Sequence, residues 1–137
     1  MPAILIICND EPFRGKLRHA VAPANTTVAS VPNTREILMQ RSARQVSGYD
    51  LIVAEVESRD HDGLSRLILF RNLYPNTPFV AITREEPAIG QAFSGAAARA
   101  LKAWLVPTHT DKLDELAKVA ERALQGEEPS LASASNR

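Results

Sequence analysis

Residues 3–12 read Ala3-Ile4-Leu5-Ile6-Ile7-Cys8-Asn9-Asp10-Glu11-Pro12, and this stretch decides the fold. Its apolar part is continuous rather than alternating, rich in β-branched side chains and too short for an ordinary helix. A strand buried on both faces has that pattern, and such strands belong to parallel sheets. The run stops at Asn9-Asp10-Glu11, and Pro12 suits the first turn of a helix, where its missing N–H would have no partner anyway. Beyond it Phe13, Leu17, Ala20 and Val21 recur at helical spacing, while Arg14, Lys16 and Arg18 fall on the other face. A strand that passes directly into a helix is the opening half of a βαβ unit.

The alternation repeats along the chain. Thr26 to Val31 reads as a second strand, and Asn33 with Glu36 three residues on resembles a capping box for a helix through about Val46, stopped by Ser47-Gly48. Tyr49 to Val56 is a third buried strand. A polar loop from Glu57 to Gly63 then leads into a helix with Leu64, Leu67, Ile68 and Leu73 inward, ended by Pro75-Asn76. Pro78 to Thr83 is the fourth strand, and Pro87 opens a helix carrying Ile89, Ala92, Phe93, Ala96 and Ala100. Ala103 to Val106 is the fifth strand, broken by Pro107. Thr110 or His109 is the expected cap of a last helix with Leu113, Leu116, Ala120 and Leu124 on one face. Five strands alternating with five helices predict an α/β, doubly wound parallel sheet with right-handed crossovers and both faces covered. In such a sheet function gathers beyond the carboxyl ends of the strands, which brings Asn9, Asp10, Glu11, Glu55, Glu57, Thr83 and Pro107 to one edge.

Composition narrows the function. The 137 residues suit one domain, read as residues 1–125, with residues 126–137 small, polar and aperiodic, a flexible tail or the start of a linker. Sixteen basic residues balance sixteen acidic ones, with no charge run, which argues against a broad electrostatic grip on nucleic acid or anionic lipid. Cys8 is the one cysteine and lies in an apolar run, so the expectation is an inert buried thiol and a reducing, cytoplasmic setting. No apolar run approaches the ~18 residues of a membrane span. His19, His61 and His109 are scattered without ligand spacing, so no zinc site is expected. Ser94-Gly95 and Gly15 belong to no phosphate-binding glycine pattern, no nucleophile elbow is present, and the acidic segment 9–12 would repel the phosphate of a flavin.

Four segments taken together, Ile6 to Pro12, Tyr49 to Gly63, Thr77 to Thr83 and Trp104 to Pro107, resemble a response-regulator receiver domain over roughly residues 3 to 125. The resemblance includes Asp62-Gly63 at the family's offset from the end of strand three. It implies a flavodoxin-like sheet of order 2-1-3-4-5. It also implies a two-component signalling module in which a histidine kinase phosphorylates an aspartate at the end of strand three, with Mg²⁺, a hydroxyl residue and a lysine. The cation and the lysine neutralise charge on the phosphoryl oxygens.

This sequence departs from that pattern. The acidic pair at the end of strand one becomes Asn9 and Asp10, followed by Glu11. Glu55 takes the phosphoacceptor position, its carboxylate about 1.5 Å further out than an aspartate's. Thr83 keeps the hydroxyl position and Trp104 the aromatic switch position. Pro107 stands where the lysine is expected, and none of the four lysines, Lys16, Lys102, Lys112 and Lys118, lies at the tip of strand five. Conventional phosphotransfer is therefore expected to be disabled.

Glu55 reads either as a fixed partial imitation of a phosphorylated aspartate or as the filler of a decayed site. Asp10, Glu11 and Glu55 form at most a weak Mg²⁺ site, and the alternative is a solvated acidic rim. Arg59 is a candidate to fold back onto Glu55 or Glu57 and replace the metal. Trp104 is read as a gate or as a space-filling aromatic. Small side chains at Ala96, Ala97, Ala98, Ala100 and Ala103 mark a face through which receivers pair or dock, against the plainer reading of high helix propensity.

The leading expectation is a degenerate, non-enzymatic receiver without a cofactor. It would act by contact with a kinase, effector or regulator, with a homodimer through the face of helix four, strand five and helix five as a further expectation. Neither a nucleic acid-binding helix pair nor a membrane contact is expected within this chain. The alternative is a divergent phospho-accepting receiver binding Mg²⁺ through Asp10, and a weaker one is a flavodoxin-like small-molecule binder.

Overall fold

The computed structural model describes residues 3–21, 27–31, 49–57, 61–84, 95–108 and 113–127. Strands β1 (Ala3–Ile7), β2 (Thr27–Val31), β3 (Leu51–Glu55), β4 (Phe79–Thr83) and β5 (Trp104–Pro107) form one parallel sheet of order β2-β1-β3-β4-β5. The described helices are α1 (Glu11–Val21), α2 (His61–Leu73), α3 (residues 95–101) and α4 (Asp114–Leu124). This is the expected doubly wound α/β sheet. The second expected helix, with its Asn33–Glu36 box, lies outside the described residues, as do the first part of the helix expected from Pro87 and the tail beyond Glu127.

Strand alternation divides the interior into two cores. Ile4, Ile6, Cys8, Leu51, Val53, Val80, Ile82, Trp104 and Val106 point to one face, where Phe13, Leu17 and Val21 of α1 and Leu116, Val119, Ala120 and Ala123 of α4 cover them. Leu5, Ile7, Ile52, Ala54, Phe79 and Ala81 point to the other, under Leu67 and Phe70 of α2 and Ala97 and Leu101 of α3. The continuous apolar runs in the sequence are what a strand covered on both sides requires. Among the described residues no helix is long and apolar enough to cross a membrane.

Several local expectations are corrected. Leu73 is 38% exposed and Phe70 takes the buried position, because the apolar face of α2 runs through Leu67 and Phe70. The helix begins at His61, so His61, Asp62 and Gly63 form its first turn and not the end of a loop. Ala96 and Ala100 are exposed, and Ala97, Ala98 and Leu101 supply the buried side of α3. Pro107 is the last residue of β5, opposite Thr83. An edge strand tolerates it there because the missing N–H leaves no interior ladder bond unmade. Helix α4 starts with Leu113 at its N-cap, with no side-chain cap among the described residues, while His109 and Thr110 lie outside them.

Candidate functional site

Asp10 follows β1 and caps α1. Its Oδ1 accepts a hydrogen bond from the Phe13 backbone N–H at 3.2 Å, and its carbonyl accepts from Arg14 N–H at 2.8 Å. This use of a short carboxylate to satisfy an unpaired amide explains why the helix starts where it does. Glu55 ends β3 beside it, its side chain only 6% exposed. On the strand alternation Glu55 continues the row of Leu51 and Val53, on the same sheet face as Cys8.

The group that meets these carboxylates is Arg84, the residue after β4. Its Nε donates to Glu55 Oε2 at 2.6 Å, Nη2 to Glu55 Oε1 at 3.2 Å and Nη1 to Asp10 Oδ2 at 2.8 Å. The guanidinium carbon also lies 4.2 Å from the centre of the Phe13 ring. Such a fork fits a carboxylate in two places and stacks on an aromatic face, which an ammonium does not do. Arg84 hydrogen-bonded to Asp10, with help from the Phe13 amide, holds the Asp10 carboxyl below the usual carboxylate range. The Glu55 contact, partly opposed by desolvation, holds the Arg84 guanidinium above its ordinary value.

Cys8 completes the cluster. Its Sγ lies 3.4 Å from Glu55 Oε1 and 3.7 Å from the Asp10 carbonyl oxygen, and its own carbonyl accepts from Arg14 Nη1 at 2.8 Å. Burial above all pushes the thiol up to about 12, a hydrogen bond with the Asp10 backbone works against that shift, and neighbouring Glu55 adds to it. It is a protonated donor at neutral pH and a poor nucleophile, in line with the inert thiol expected from sequence.

Among the residues expected at this edge, Asp10 and Glu55 are joined, through Arg84. The expected replacement cation was Arg59, which lies outside the described residues. The cation that pairs was missed by sequence reading, although the two-residue period of β4 pointed to it. Val80 and Ile82 share the face of Glu55, so Arg84, next in that row, falls there too, whereas Thr83 falls in the row of Phe79 and Ala81. Thr83 is buried, and its carbonyl accepts from both the backbone N–H and the hydroxyl of Thr108, at 2.7 and 3.2 Å. Asn9, Glu11, Glu57 and Pro107 are exposed.

Trp104 is not drawn into the cluster. It sits level with Val80, three residues before the Thr83–Pro107 pair, and is 8% exposed among the α1 and α4 side chains. Arg122 of α4 stacks on it at 4.8 Å and is itself tied to Glu127 at 3.3 Å. The indole Nε1 is buried and has no hydrogen-bond partner among the described residues. Ala96 and Ala100 are accessible, but Ala103 is 1% exposed and packs in the core with Leu101, which removes it from the expected interface.

The donor set does not fit the divalent cation that the resemblance implies. A hard cation needs several free oxygens, and here both oxygens of Glu55 and one of Asp10 already face a guanidinium. Among the described residues no group of three or more His, Cys, Asp or Glu side chains is placed to hold a metal ion.

Neither a protein-family model nor a curated protein sequence matches the chain. Solved structures do. The receiver domain of Francisella response regulator 1452 is similar at 16% identity and a TM-score of 0.68, over 92% of this chain and 98% of that one. The signal receiver domain of an HD domain-containing protein from Pseudomonas fluorescens Pf-5 is similar at 19% identity and 0.66, over 99% and 93%. The response regulator TrrA of Thermotoga maritima, solved with Mg²⁺ and BeF, is similar at 17% identity and 0.67, over 90% and 99%. At these identities the likeness is one of backbone, and it agrees with the strand order and the two-faced core: the chain has the fold of response-regulator receiver domains.

Proposed function

We propose that this chain is a degenerate receiver, a two-component-type signalling module that acts by protein contact and does not accept a phosphoryl group in the conventional way. One observation carries this reading: both oxygens of Glu55, at the position the resemblance assigns to the phosphoacceptor, are held by Arg84. In-line attack on a phosphorus centre needs a carboxylate oxygen free to approach it. The charge stabilisation a lysine would give is missing too, since Pro107 stands at that position. Partners of the kinase, effector or regulator class would then read the surface rather than a phosphoryl group, and the exposed Ala96 and Ala100 are the small-sided positions for such contact or for a homodimer. A cytoplasmic setting goes with that role.

The second reading is a divergent phospho-accepting receiver. It is favoured by Asp10, whose side chain is 40% exposed and so more accessible than that of Glu55. Intact-mass spectrometry after incubation with Mg²⁺ and a small phosphodonor, beside a conventional receiver as positive control, separates the two. An unchanged mass is expected. A stoichiometric, Mg²⁺-dependent adduct overturns the contact-only reading, and its position identifies the acceptor.

A further inference from the structure

One side chain links three loops at the carboxyl edge of the sheet. Arg84, after β4, reaches Glu55 at the end of β3 and Asp10 between β1 and α1, and it lies against the ring of Phe13 in α1. A lysine in this place would set one point charge against one carboxylate. A group that bridges two carboxylates from different segments of the chain instead does the work of a chelated divalent ion, which is to hold like charges together and fix the segments that carry them.

We propose that Arg84 is the resident cation of this edge, built into the chain in place of an exchangeable divalent ion. The proposal rests on the receiver-like reading of the edge given above. The guanidinium cannot diffuse away, so the edge keeps its neutralisation at any divalent-ion concentration. It also excludes such an ion, by occupying the oxygens and by repelling positive charge. Glu55 makes this arrangement possible: at 6% exposure it has little water to solvate it, and its carboxylate is long enough to take the fork of Arg84 while Asp10 takes the third nitrogen. Cys8 fits the same account, since it puts a side chain without formal charge beside Glu55, where a third acidic group would call for more cation than one arginine supplies.

The test uses Mn²⁺ as the probe, with free ion counted by electron paramagnetic resonance, on the wild-type chain, Asp10→Asn, Arg84→Ala, Arg84→Gln and the Arg84→Ala/Asp10→Asn double variant. At about 1 mM ion the wild type is expected to bind none, and each Arg84 variant about one equivalent. Adding Asp10→Asn is expected to weaken that binding by at least about tenfold. Mg²⁺ is expected to raise the melting temperature of the Arg84 variants but not of the wild type, with NaCl at matched ionic strength as the control. Stoichiometric Mn²⁺ binding by the wild type that Asp10→Asn abolishes would overturn the proposal. So would Arg84 variants with a native circular dichroism spectrum that bind no ion, or variants that fold neither with nor without it. Variants that fold only with Mg²⁺ would support it. A phosphoryl adduct on a wild type that binds no Mn²⁺ would defeat the contact-only reading and leave this one standing. Mn²⁺ binding without an adduct would do the reverse.

Discussion

Glu55 and Arg84 differ in how readily the sequence reveals them, and the difference is physical. Glu55 closes an apolar run, so both its strand and its place at the sheet edge follow from periodicity, and Asp10 is marked by the helix start it caps. A pairing between loops leaves no such local trace. Arg59, close after Glu55 in the chain, is the expected cation and lies outside the described residues; the cation that pairs among those described is placed by row, since Arg84 falls on the Glu55 side of the adjacent strand β4. The pairing bears on Glu55→Asp. Shortening the side chain restores the usual acceptor but supplies no lysine at Pro107 and leaves Arg84 at the site, so mass spectrometry with Mg²⁺ and phosphodonor is expected to show no efficient phosphorylation. Rapid modification of that single variant would contradict the account. The pH dependence of stability follows from Asp10. Its carboxyl is lowered by Arg84 and the Phe13 amide, so the stability it contributes is fully present above its unfolded value near pH 4 and is lost as pH falls further, through the folded value. Urea unfolding between about pH 5 and pH 2 is expected to show a shallower acid loss for Asp10→Asn than for the wild type.

Two helices end in the same motif with different residues, and the comparison isolates a cost. At the end of α4, Gly126 N–H bonds to the Ala123 carbonyl and Glu127 N–H to that of Arg122, with Gly126 at φ 89°. At the end of α3, Lys102 N–H bonds to the Arg99 carbonyl and Ala103 N–H to that of Ala98, with Lys102 at φ 51°. Both are Schellman caps whose left-handed position glycine fills without a Cβ clash. Lys102 is the described non-glycine residue that adopts it, and its side chain is exposed. Lys102→Gly is therefore expected to stabilise the protein by about 0.5–1 kcal/mol, the relief of the left-handed strain exceeding the entropy that glycine adds to the unfolded chain. Thermal unfolding checks it, and a lower melting temperature would show that the lysine has a compensating contact. The same elements mark how far sequence reading carries. Strand positions were legible to within a residue or two because burial on both faces leaves a continuous apolar run. The faces of α2 and α3 were not: leucines and alanines occur on both their inner and outer sides, and only the packing decides that Phe70 and Ala97 go in while Leu69 and Ala100 stay out.

Every strand contributes to both cores, so the two faces of the sheet share one backbone. That arrangement predicts a single cooperative transition, because losing either helical layer exposes strands that the other layer also needs. Trp104 makes this testable: it is the sole tryptophan, and it lies on the α1 and α4 face. Phe70 lies on the opposite face, fully buried, with ring centres 4.9 Å from Tyr74 and 6.3 Å from Phe79. Phe70→Leu keeps the site apolar but loses ring volume and the aromatic contacts, at a cost of about 1–2 kcal/mol. For a chain of this size that is a fall of about 3–8 °C in melting temperature. If the faces unfold together, Trp104 fluorescence registers the full shift although no atom of Phe70 need touch the indole, and far-ultraviolet circular dichroism gives the same midpoint. A tryptophan transition left in place while the circular dichroism midpoint falls would mean that the faces unfold separately.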